Sequence, residues 1–137
     1  MKQYNFVDLF AGCGGLSLGL QQAGFTPWFV NEIVEQFCYT YKFNHELGDE
    51  HYFVGDIAVL NQHLDDYRSL LSDITLVCGG PPCQGFSLTG PRNFDDERNK
   101  LYLAMIETVR RYQPKAFMIE NVPGMATLYK GEVKDEI

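Results

Sequence analysis

The chain reads as an α/β domain built on a mostly parallel sheet with flanking helices on both faces. Short apolar runs of strand length recur along its 137 residues, and stretches with helical spacing of apolar residues separate them. The glycine, proline and acidic clusters fall directly after those runs. Strands joined through helical crossovers pair in parallel, and such sheets collect their ligands outside the carboxyl ends of the strands.

Tyr4–Phe10 is an apolar run closed by a glycine cluster and predicts the first strand. Leu16, Leu20 and Ala23 share one helical face, so a helix is expected over Leu16–Ala23, stopped by Gly24. Thr26–Asn31 predicts the second strand, Val34–Phe43 the second helix and Tyr52–Val54 a short third strand. A fourth strand over Ile74–Cys78 runs into Gly79-Gly80-Pro81-Pro82. Leu101, Met105, Ile106 and Val109 recur at helical spacing within Leu101–Arg111, which leads to a fifth strand at Ala116–Glu120. No internal repeat and no Ser/Gly/Pro linker divides the chain, so one domain is expected.

Composition bounds the function. With 45% hydrophobic, 14% aromatic and 21% charged residues, the chain has an ordinary globular make-up rather than a disordered one. No apolar run approaches the ~18 residues of a membrane span, and Met1-Lys2-Gln3-Tyr4-Asn5 leads into the first strand without a signal-like segment. A soluble, cytoplasmic protein with no membrane partner is the expectation. Eighteen acids against eleven bases, a net charge of −7, have the wrong sign for a whole-chain grip on nucleic acid. Any such contact is local or supplied elsewhere. Cys13, Cys38, Cys78 and Cys83 form no CxxC pair, and three lie in or beside apolar runs, as free thiols rather than a disulfide framework do. His45, His51 and His63 lack ligand-like spacing and are expected at the surface, with no metal site.

Three clusters carry the chemistry. In Asp8-Leu9-Phe10-Ala11-Gly12-Cys13-Gly14-Gly15, glycines allow a sharp turn and the approach of a ligand to amides at a helix N-terminus. Glu32 ends the second strand, where an acid accepts hydrogen bonds from ribose hydroxyls. Together they suggest a nucleoside-containing cofactor. The third position of the glycine pattern is Ser17, which argues against a dinucleotide. Asp56, after the third strand, is placed to meet an adenine amino group, with Ile33 and Ile57 as apolar walls around the base. The alternative is that the glycines are only turns and that Asp56 caps a helix.

The second cluster, Gly79-Gly80-Pro81-Pro82-Cys83-Gln84-Gly85-Phe86-Ser87, holds Cys83 on a loop stiffened by two prolines. A loop cysteine presented this way reads as a nucleophile, which needs a lowered pKa or an adjacent base; a structural cysteine is the alternative. The third, Glu120-Asn121-Val122-Pro123-Gly124, leaves an acid at a strand end, either a cap or a functional carboxylate whose desolvation would favour a protonated, donating form.

Asp8–Gly15, Pro81-Pro82-Cys83-Gln84 and Glu120-Asn121-Val122, in this order, resemble the DNA cytosine-5 methyltransferase family. Glu32, Asp56-Ile57 and Asp96-Glu97-Arg98-Asn99-Lys100-Leu101 extend the resemblance over almost the whole chain. It implies a Rossmann-like S-adenosylmethionine-dependent methyltransferase fold with S-adenosylmethionine as cofactor and duplex DNA as partner. Cys83-Gln84-Gly85-Phe86 differs from the Cys-Gln-Pro-Phe of the family's tRNA-methylating relatives, which favours DNA. By resemblance, Cys83 adds to C6 of a flipped cytosine, Glu120 bonds N3 and the exocyclic amine, Asn121 helps hold that carboxylate and Pro82 shapes the pocket. Phe10, Ala11, Gly12, Gly14, Gly15, Glu32, Ile33, Asp56, Ile57 and Leu101 match the family's cofactor contacts. Gln84, Ser87 and Arg98, in the segment up to Lys100, match its DNA-closing loop.

The family continues beyond Glu-Asn-Val with an arginine-rich motif, the last strands and a target-recognition domain. The expectation is therefore a catalytic domain incomplete at its C-terminal end, a fragment or a subunit, inactive without the missing part. An incomplete sheet exposes a strand edge, which predicts a second polypeptide or self-association. The remaining alternatives are a Rossmann-type, dehydrogenase-like nucleotide-binding module and a non-catalytic cofactor-binding remnant.

Overall fold

The computed structural model describes residues 4–82 and 101–122. Strands β1 (Tyr4–Leu9), β2 (Phe25–Glu32), β3 (Tyr52–Val54), β4 (Leu76–Gly79) and β5 (Ala116–Ile119) form one sheet in the order β3-β2-β1-β4-β5. Every pairing is parallel. The chain moves outward from β1 to β2 and β3, then returns to the other side for β4 and β5. The loops after β1 and β4 therefore diverge from adjacent strand ends, the place where open α/β sheets form a ligand crevice.

Helices α1 (Gly15–Gln22), α2 (Glu35–Asn44), α3 (Ile57–Gln62), α4 (Arg68–Leu71) and α5 (Leu101–Tyr112) cover the two faces. On one face Val7, Leu9, Phe29 and Val77 pack with Ile57, Leu60, Leu71 and Met105 in the largest apolar cluster. On the other, Phe6, Leu76 and Cys78 meet Leu16 and Leu20 of α1, and Val30 meets Tyr41 of α2. Burial on both faces explains why the central strands read as largely apolar runs rather than strictly alternating ones.

The structure differs from the sequence reading where local pattern is weak. The capped turn α3, a 3-10 turn at Leu64–Tyr67 and the single turn α4 lie between β3 and β4, where no element was read. They are short, and Asp, Asn and His residues interrupt their apolar spacing. β2 starts at Phe25 and carries an irregular step, with Phe6 opposite Pro27 but Val7 opposite Phe29. Pro27 has no N–H to give the ladder, so the strand bulges there. β5 has a neighbour only on its β4 side among the described residues, and Phe117 and Met118 are exposed. No helix among the described residues is long and apolar enough to cross a membrane.

Leu60 is 1% exposed in the largest cluster, whereas Leu18 on α1 is 51% exposed. Leu60→Ala is expected to lower the unfolding free energy by about 2–5 kcal/mol, and Leu18→Ala to change it by less than about 0.5 kcal/mol. Urea unfolding of the two variants checks the difference, and equal effects would contradict this packing.

Candidate functional site

Every described element of the three clusters lies at the carboxyl edge of the sheet. β1 ends at Leu9, and Phe10, Gly12 and Gly14 follow at φ 59, 56 and 89. This left-handed succession folds the chain back, with Gly14 N donating to Ala11 O at 3.0 Å and Ala11 N to Asn31 O at 3.1 Å. Gly14 then caps α1 without any side-chain bond, so the first amides of the helix remain available. Only glycine fits there, because a Cβ would lie 2.4 Å from His45 Nε2 and 2.9 Å from Tyr41 Cδ2. Beside Gly12 and Gly15 the space is open.

Glu32, buried at the end of β2, accepts from Gly12 N through Oε2 and from Val34 N through Oε1, both at 2.8 Å. One carboxylate thus joins the loop after β1 to the entry of α2. Asn31 extends the tie to the third loop, donating to Phe53 O at 3.1 Å and Gly55 O at 2.9 Å. Asp56 is exposed and accepts from Ala58 N at 2.7 Å, so it caps α3, the structural role weighed for it from sequence. Ile33 is 62% exposed, whereas Ile57 is 2% exposed and packs in the core. The expectation of two apolar walls is corrected accordingly. Ile57 turns its side chain inward, and its amide, at the first helical position, lacks an intrahelical acceptor.

Across the divergence, β4 passes close to β1, since a Cβ at Gly79 would lie 2.4 Å from Leu9 O. Gly80 and Pro81 lead to an exposed Pro82. Glu120 N donates to Gly79 O at 2.9 Å, and the Glu120 side chain lies over Gly80, with Oε2 3.2 Å from where a Cβ would stand. Asn121 Nδ2 donates to Pro81 O at 3.1 Å, while its Oδ1 accepts from Val122 N at 2.8 Å. These bonds correct the expectation that Asn121 holds the Glu120 carboxylate. It fastens the loop after β5 to the loop after β4. Phe10 and Leu101 are half-buried against the main cluster, and Ala11 is buried with Val30 and Tyr41. Cys83, Gln84, Ser87 and Arg98 lie outside the described residues.

Beneath the glycine loop runs a polar chain that the sequence reading missed. Asp8 is 1% exposed, and its Oδ2 accepts from Ser17 Oγ, which in turn accepts from Tyr41 Oη, each at 2.6 Å. Its Oδ1 has no partner. Burial pushes the Asp8 carboxyl up to about 6, opposed by the hydrogen bonds from Ser17 and Cys78 and reinforced by the charge of Glu32. Ser17, read as a poor third glycine, is the buried donor to this carboxylate. The one acid within β1 was the available signal. His45 is also corrected, since it is 3% exposed rather than at the surface. Burial pushes its pKa down, with a Gly14 backbone hydrogen bond acting the other way. Among the described residues no group of His, Cys, Asp and Glu is placed to hold a metal. A cavity of about 560 Å³ lined by Gln21, Trp28, Leu47 and His51 takes no residue from the three clusters.

Residues 4–137 match the family of C-5 cytosine-specific DNA methylases. The type II methyltransferase M.AgeI of Thalassovita gelatinovora is 40% identical over 129 residues, 93% of this chain and 30% of that protein. M.DdeI of Desulfomicrobium norvegicum is 40% identical over 136 residues, 97% of this chain and 32% of its own length. A solved DNA modification methyltransferase encoded within an E. coli prophage superposes with a TM-score of 0.77 at 34% identity, over 98% of this chain and 36% of that one. The chain spans about a third of the length of these relatives.

The raised pKa of Asp8 has a measurable consequence. Its native carboxyl holds a proton to higher pH than the unfolded one, so its contribution is full below the ordinary value of 3.8 and is lost as pH rises through about 6. Between pH 4 and 7 the native protein is expected to lose up to about 3 kcal/mol relative to Asp8→Asn. Urea unfolding of both proteins across that range measures the difference, and a constant offset would exclude Asp8 as the titrating group.

Proposed function

Because the chain belongs to the C-5 cytosine-specific DNA methylase family, we propose that it is the N-terminal part of the catalytic domain of an enzyme that methylates C5 of cytosine in duplex DNA. The observation that carries the reading is the gathering of three loops tied by Glu32 and Asn31 beside a second pair tied by Asn121, at the point where the strand order diverges. The dehydrogenase-like alternative has no support from the family match.

The first three loops suit S-adenosylmethionine. The open space beside Gly12 and Gly15 admits a ligand at the uncapped start of α1, whose amides suit the carboxylate of the cofactor. Glu32 keeps lone pairs for ribose hydroxyls while two backbone bonds fix its orientation. The Asp56 carboxylate beside the Ile57 amide offers an acceptor and a donor side by side, complementary to the amino group and a ring nitrogen of adenine, with exposed Ile33 as an apolar surface. Phe10, Ala11 and Leu101 complete the apolar surroundings. When bound, the cofactor supplies a methyl group activated as a sulfonium.

Cys83 directly follows exposed Pro82. In this reading its thiolate forms a bond to C6 of a cytosine drawn out of the helix, which places electron density on C5 for methylation. Glu120 hydrogen-bonds N3 and the exocyclic amine, stabilising the charge that builds on the ring. Loss of the C5 proton then breaks the S–C6 bond and restores Cys83. Asn121 keeps Glu120 and Pro82 on one platform by fastening their loops. Gln84, Ser87 and Arg98 contact DNA. The open edge of β5, with Phe117 and Met118 exposed, supports a further polypeptide segment that completes the sheet and carries target recognition.

Methyl transfer from labelled S-adenosylmethionine to unmethylated duplex DNA tests the reading. The chain alone is expected to be inactive, and activity is expected on adding a polypeptide with the family's C-terminal part. Cys83→Ser is expected to remove that activity by roughly three orders of magnitude or more. Activity of the chain alone would overturn the incompleteness, and activity that survives Cys83→Ser would overturn the covalent route. Glu32→Ala is expected to weaken S-adenosylmethionine binding by about tenfold or more in calorimetric titration, a loss of at least about 1.4 kcal/mol. Unchanged binding would remove Glu32 from the cofactor site.

A further inference from the structure

Among the buried groups under the glycine loop to which the proposed methyl transfer gives no role is His45. His45 caps the C-terminal end of α2, and its Nδ1 stands 2.5 Å from Gln21 Oε1 in the last turn of α1. Its ring packs against that of Tyr41, tilted by 34° with centroids 4.3 Å apart. The two rings meet Gly14, where a Cβ would lie 2.4 Å from His45 Nε2 and 2.9 Å from Tyr41 Cδ2. Gly14 is the residue that aims the uncapped amides of α1, at φ 89 and without a side-chain bond of its own.

Tyr41 is held from below, since its hydroxyl donates to Ser17, which donates to Asp8. His45 is held from the side by Gln21. A neutral imidazole donates from one nitrogen and accepts at the other. The neutral tautomer that carries its proton on Nδ1 donates to Gln21 Oε1. The loop thus rests on two rings that are each fixed by a partner outside the loop.

We propose that His45 is a positioning residue for the cofactor: with Tyr41 it forms an aromatic shelf that sets the height of Gly14 and so the aim of the first amides of α1. This rests on the assignment of the loop to S-adenosylmethionine. Loss of the shelf lets Gly14 sink into the vacated space, which weakens cofactor binding while leaving the methyl-transfer step intact once the cofactor is bound.

Calorimetric binding of S-adenosylmethionine and steady-state methylation kinetics, on the methylation-competent protein with folding checked by circular dichroism, test it. His45→Ala is expected to raise Kd and the KM for S-adenosylmethionine by about tenfold, with kcat within about twofold. His45→Phe keeps a ring under Gly14 and is expected to return both within about threefold of the parent. If His45→Ala does not fold, His45→Leu, which keeps bulk without a flat ring, takes its place with the same expectation. Glu32→Ala separates the two levels of the argument. If the parent does not bind, or Glu32→Ala binds as the parent does, the cofactor assignment fails and the role of His45 falls with it. If Glu32→Ala weakens binding while His45→Ala does not, the shelf is overturned and the assignment stands. A drop in kcat at unchanged KM, or His45→Phe as weak as His45→Ala, overturns the shelf as well.

Discussion

The carboxylate of Glu32 holds the carboxyl edge of the sheet together. Its two oxygens accept from the amides of Gly12 and Val34, in the turn after β1 and at the start of α2. A buried carboxylate is costly unless it is hydrogen-bonded, and here the bonds go to backbone donors that a left-handed turn and a helix start would otherwise leave unpaired. The residue proposed to meet ribose hydroxyls is therefore also the residue that shapes the loop. Asn31, adjacent on β2, repeats the device toward the loop after β3.

Under this edge the interior is unusually polar. Asp8, Ser17, Tyr41 and His45 are all buried between β1, α1 and α2. Hydrogen bonds account for most of their polar atoms, although Asp8 Oδ1 is unpartnered and burial pushes the carboxyl up. Such groups cost stability relative to an apolar core, and the opposite face of the sheet, lined by Val7, Leu9, Phe29 and Val77, carries the compensating apolar burial. Polar groups thus concentrate beneath the loop proposed for the cofactor, where directional bonds define a backbone better than apolar contact does.

The second half of the edge is simpler. Glu120 N pairs with Gly79 O as the last rung beyond β5, and Asn121 continues the connection to Pro81. Continuity of the β4–β5 ladder therefore places the Glu120 carboxylate beside the loop that leads to Cys83. Among the described residues β5 has a neighbour only on its β4 side, and its Phe117 and Met118 are exposed.

The sequence by itself determined the five strands, three of the helices and the position of each chemical cluster after a strand. Those features are written in local apolar periodicity and in glycine and proline, which act within a few residues. It also showed that Glu32 follows β2 and that Ser17 departs from a dinucleotide pattern. Only the tertiary structure decided the strand order β3-β2-β1-β4-β5, the inward turn of Ile57, the burial of His45 and the pairing of Asn121 with Pro81. Each of these depends on a partner 20 or more residues away: Asp8 and Ser17 are near in sequence, but Tyr41 reaches Ser17 across 24 positions and Asn121 reaches Pro81 across 40. Local spacing carries no information about such partners, because they meet only when the crossovers bring their elements onto one face of one sheet.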